Sequence, residues 1–162
     1  MKPFALIAAA ALLVAAGSSA AVIAKLPPAA SAGQQTMYGH VKSLTRKGAR
    51  FELRFDPAWW LTGVTATRAK LEDTGSGEVP NDYYVVEEGH RLLTFVVPTS
   101  AHVTVLTDGA NGSRISVSEL AQIVKGKNPN HRHLSEPKAG FWIRVSDKYP
   151  SAILSLDQQY QP

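Results

Sequence analysis

Arg50-Phe51-Glu52-Leu53-Arg54-Phe55 alternates a charged side chain with a large apolar one for six residues. Successive side chains of a β-strand point to opposite faces, so this stretch predicts a strand with one dry face and one wet face. Behind it, Arg46-Lys47-Gly48 reads as a turn and residues 38–45 as a second strand. The pair is a β-hairpin, and an antiparallel sheet is the starting point of the fold.

Ahead of it, Asp56-Pro57 reads as a stop and a helix start. Asp is a good N-cap, Pro suits the first helical position, and Phe55 and Trp60 fall at hydrophobic-staple positions. Gly63 breaks this first turn, and Thr62 caps a second helical stretch running to about Asp73. Residues 83–87 and 92–97 read as strands paired around Glu88-Gly89-His90, with residues 102–107 as the third strand of a meander. Residues 92–97 are nearly apolar on both faces, which predicts a place in the middle of the sheet.

Residues 108–112 read as a turn. The clearest helix follows, opened by the capping box Ser116-Val117-Ser118-Glu119 with Ile115 and Leu120 at the staple positions. Val117, Leu120, Ala121 and Val124 keep helical spacing, and Gly126 sits where a C-terminal cap belongs. Residues 128–140 form a long polar loop, and strands at 141–146 and 152–157 close the chain as a hairpin. The elements predict one α+β domain: an antiparallel sheet or small partly open barrel of about seven strands with two short helices.

The N-terminal region sets the compartment. Residues 1–24 open with Met1-Lys2, continue as an apolar run from Phe4 to Ala16, and end in the small residues Gly17-Ser18-Ser19-Ala20-Ala21. That order is a secretory signal, and an uncleaved membrane anchor is the alternative. The alanines and the Gly-Ser-Ser interruption favour cleavage. Either way the remaining chain is expected to be extracytoplasmic, secreted or attached to the cell envelope. The chain has no cysteine, which excludes a lipid-anchored lipoprotein and a disulfide scaffold together. Residues 25–36, rich in Pro, Ala and Ser, read as a flexible linker, and residues 37–162 as the globular domain.

The formal charge is +4, of which Lys2 in the leader supplies one. A modest basic excess outside a cell suits an anionic wall polymer, a lipid surface or another envelope protein as partner. Nucleic acid is not expected, because no basic stripe is interleaved with aromatics. Membrane contact is expected only through the N-terminal segment, if it stays uncleaved.

Several short strings resemble, as a set, a group of small exported proteins of Gram-positive bacteria. They are Phe55-Asp56-Pro57-Ala58-Trp59-Trp60-Leu61-Thr62-Gly63, Pro80-Asn81-Asp82-Tyr83-Tyr84, Phe141-Trp142-Ile143 and Gln158-Gln159-Tyr160-Gln161-Pro162. The likeness spans residues 37–162. No activity is established for that group, so the resemblance implies one exported domain and carries over no functional residue.

No catalytic, cofactor-binding or metal-binding set emerges from the residues. His131-Arg132-His133 has a spacing that suits zinc, but lacks a third ligand beyond guesses at Glu136 or Asp147, and Arg132 opposes a cation. There is no Gly-x-Ser-x-Gly elbow and no phosphate loop. A hydrolase would have to recruit groups such as Asp56, Asp82 or His133. The sharper features are aromatic. Trp59 is expected at an edge or on the surface, with Trp60 packed inside. Alternation sends Tyr83 and Tyr84 to opposite faces, so one of them, taken as Tyr84, can join Trp59 in a ligand-binding patch. A non-enzymatic binding or interaction role at the cell surface is the expectation, with a small extracytoplasmic hydrolase as the alternative.

Overall fold

The computed structural model describes residues 29–161, except 88, 90, 136, 137, 149 and 150. The leader at 1–24, the start of the linker and both flanks of Gly89 lie outside the described residues. The described residues hold eight strands and two helices in one α+β unit, with a mostly antiparallel sheet that does not close.

β1 (Gln34–Lys47) and β2 (Arg50–Thr62) form the predicted hairpin. Gly48, at φ 62°, supplies the left-handed residue its tight turn needs. Phe51, Leu53 and Phe55 are all buried, and Arg50, Glu52 and Arg54 are exposed, as the alternation requires. β1 begins at Gln34, inside the stretch read as linker.

The helix expected at Asp56-Pro57 is absent: β2 runs straight through these residues to Thr62. The reason lies in the neighbouring strands. Along one edge, residues 50–55 of β2 pair with β4 (Leu93–Pro98), and residues 59–62 pair with β3 (Tyr83–Val86). Residues 56–58 fall between the two ladders, so a proline without an N–H is tolerated there. On the other edge Pro57 faces Gly39. A Cβ on Gly39 would overlap the Asp56 carbonyl oxygen and the Pro57 Cα, so glycine permits the close approach. The helix begins later, as α1 (Gly63–Thr74), with Thr62 at its N-cap and Gly75 closing it in the left-handed conformation.

The expected meander is also corrected. β3 and β4 do not pair with each other; both add to the same edge of β2. β4 is not central. Among the described residues its second edge meets a single parallel bridge, Val96 to Ala152. β5 (His102–Asp108) pairs antiparallel with β6 (Asn111–Ile115) and parallel with β8 (Ile153–Gln158). β6 occupies what the sequence suggested was turn and lead-in to the helix. β7 (Phe141–Ser146) joins β1 to β8, which gives the order β3-β2-β1-β7-β8-β5-β6.

The core is enclosed by the curled sheet and plugged by α2 (Val117–Ile123), which buries Val117, Leu120 and Ala121 against it. Leu53, Phe55, Val97, Val103, Ile143, Ile153 and Leu156 are completely inaccessible. Each such side chain contributes roughly 1.5–3 kcal/mol by leaving water, and with no disulfide the core carries the fold. The capping box forms by half. Ser116 Oγ accepts the Glu119 N–H at 3.1 Å, but the Glu119 carboxylate turns to Arg132.

Candidate functional site

Beyond the core, β2 and β3 continue as a two-stranded extension with α1 laid on one side. Strand alternation, not helical spacing, separates the two tryptophans. Trp59 pairs with Val86 and Leu61 with Tyr84 on one face; Trp60 pairs with Val85 and Thr62 with Tyr83 on the other.

The Trp59 face meets α1. A groove of about 690 Å³ runs between them, lined by Trp59, Leu61, Val86, Ala69, Glu72, Asp73 and Glu87 among others. Trp59 is 56% exposed, the most exposed aromatic side chain among the large hydrophobics of the described surface. Each carboxylate is held by a partner. Glu72 takes Arg68 Nε at 2.8 Å, Glu87 takes His40 Nε2 at 2.6 Å, and Asp73 accepts the Tyr84 hydroxyl. That last bond, above all, raises the Tyr84 phenol above its ordinary pKa. Tyr84 thus lies on the same face as Trp59, as alternation requires, but its hydroxyl is committed to docking α1 on the extension. Lys70 sits over its ring, Nζ 5.9 Å from the centroid.

The opposite face carries an aromatic cluster. Tyr38 lies 5.0 Å from Trp60 and 5.1 Å from Trp142, centroid to centroid, and Trp60 stacks on Tyr83. Tyr38 is 2% exposed although it points away from the main core. The chain end covers it: Gln161 Nε2 donates to the Tyr38 hydroxyl at 3.0 Å, and Trp142 Nε1 donates to Gln159 Oε1 at 2.9 Å. Burial, more than nearby Glu87, pushes the Tyr38 phenol well above its usual pKa. Trp142, Tyr38 and the His40–Glu87 pair were not singled out by sequence. The available signal was the alternation of buried Phe141, Ile143 and Val145 with Trp142 and Arg144, which sends both of the latter to the outer face.

The polar groups a hydrolase would recruit are not brought together. Asp56 pairs with Lys42 at 2.9 Å, where a bulge after Val41 turns the lysine toward it. Asp82, at φ 57°, is in the turn before β3. It adjoins the far end of β2, on the order of 20 Å along the strand from Asp56. His133 is in the loop after α2. Arg132 beside it is engaged by Glu119, whose carboxyl this bond holds below its ordinary pKa. Among the described residues no three His, Cys, Asp or Glu side chains gather to hold a metal, and no helix is long and apolar enough to cross a membrane. Glu136 lies outside the described residues.

In comparisons with known proteins, no family model, no curated protein and no solved structure matches the chain.

Proposed function

We propose that the chain is an exported, non-enzymatic domain of the cell envelope that binds a wall glycan through the Trp59 groove. The exposed Trp59 ring carries this reading. A large apolar ring left in water, above a groove with fixed hydrogen-bond acceptors, is the chemistry that stacks on a sugar and takes its hydroxyls. Glu72 and Asp73 each keep acceptor capacity beyond the one partner they hold. Their shared negative sign favours a neutral sugar over an anionic lipid headgroup at this groove. The charge-poor leader supports the exported setting.

Co-sedimentation with isolated peptidoglycan at low salt tests the reading. The wild-type chain should sediment, and Trp59→Ala should stay in the supernatant with its urea midpoint unchanged. A Trp59→Ala chain that sediments as well as wild type would remove the groove from the function.

A further inference from the structure

A second groove lies on the outer face of β7, β8 and β5, away from Trp59, with a volume of about 840 Å³. The strand register builds its floor. Thr36 pairs with Arg144, Arg144 with Ser155, and Ser155 with His102. These four residues form one row across β1, β7, β8 and β5. Arg144, Ser155 and His102 line the groove, together with Gln34, Trp142 and Asp157 among others.

The polar chemistry of this row is unfinished within the protein. Arg144 Nε, Thr36 Oγ1 and Gln34 Oε1 are buried and have no hydrogen-bond partner among the described residues. Arg144 also forms no ion pair with a described carboxylate. Ser155 is only 7% exposed. A partly buried guanidinium without a counter-charge is costly, as are buried polar atoms without partners. Arg144 itself lines the groove, where an anionic ligand can supply the counter-charge that the described residues do not.

The chemistry of that ligand follows from the donors. A guanidinium fork matches the paired oxygens of a carboxylate or phosphate, and Ser155 and His102 line the groove in the same row. Trp142 beside the row is pinned by Gln159, so its ring is pre-set for packing on a sugar or polyol. We propose that this groove binds an anionic unit of a sugar or polyol chain, with its oxyanion on Arg144. Asp157, the one acid lining the groove, repels that charge and limits the affinity.

The test uses the full chain in a mild detergent, titrated with poly(glycerol phosphate), polygalacturonate and neutral dextran. At least one anionic polymer should bind saturably and weaken with salt, and dextran should not compete. Which polymer binds identifies phosphate or carboxylate as the oxyanion. Arg144→Gln should weaken binding by about tenfold or more, Asp157→Asn should tighten it, and Trp59→Ala should leave it unchanged. Binding of neither anionic polymer, or wild-type affinity in a folded Arg144→Gln, overturns the proposal. Should Arg144→Gln fail to fold, Asp157→Asn decides, and unchanged or weaker binding there overturns it equally. The Trp59 groove is unaffected by either result.

Discussion

Trp60 stacks on Tyr83 with ring centroids 4.1 Å apart and planes 12° from parallel. The two residues are diagonal neighbours across the β2–β3 ladder. β3 has only four residues, too few for its backbone bonds alone to hold it, so the stack fastens it to β2. Trp60→Ala should lower stability by about 2–4 kcal/mol. A double-mutant cycle with Tyr83→Ala should return a coupling of about 0.5–1.5 kcal/mol in urea unfolding. Additive single changes would mean the rings merely lie near each other.

Two glycines are set by close approach. Gly39→Ala would drive a Cβ into the β2 backbone at Asp56 and Pro57, and Gly140→Ala into the Tyr38 ring and hydroxyl. Neither neighbour can step aside, since one is backbone and the other a buried ring. Each change should cost about 1–3 kcal/mol, with Gly39→Ala the larger. Equilibrium denaturation of the two variants gives the order directly.

The Glu119–Arg132 pair makes stability depend on acid. Arg132 holds the folded carboxyl below its ordinary value of 4.5. Its contribution is therefore complete above about that pH and disappears as pH falls through the folded value. Glu119→Gln should melt at a lower temperature than wild type at neutral pH. The gap should close on acidification below about pH 4.5. A gap that is constant from neutral to strongly acid pH would show that the carboxylate charge contributes nothing.

α1 rests on little. Ala66 is its one buried residue, and the Tyr84 hydroxyl reaches it at Asp73. Tyr84→Phe should speed hydrogen exchange of the amides in Gly63–Thr74, leaving those of β1 and β7 unchanged. Equal protection of α1 in both proteins would show that the Asp73 bond does not hold the helix.

Local chemistry was readable from the chain where it had no competitor. Phe51, Leu53 and Phe55 reported a half-buried strand, and Ser116 with Leu120 reported the start of α2, because each pattern was satisfied within a few residues. Asp56-Pro57 misled for the same reason. Its local preference for a helix start is genuine, but Gly39 on one side and the gap between two ladders on the other remove every penalty for keeping it extended. Pairing between distant strands left no local trace. Nothing in residues 102–107 marks β8 rather than β4 as their neighbour. The exposure of Trp59 was expected from helical spacing and arises from strand alternation. The outer aromatic cluster needs the register of β1, β2 and β7 together, which no single stretch encodes.

The position of β8 has a consequence for assembly. It lies between β7 and β5, and the Leu106 N–H is bonded by the side chain of Gln158, 52 residues further along. Among the described residues the β5–β6 hairpin joins the rest of the sheet through this strand alone. A chain emerging from its N-terminus therefore makes β5 and β6 long before their docking partner exists. Closing so long a loop for a parallel ladder is slow. The domain stays incompletely folded until β8 is available to bridge β7 and β5.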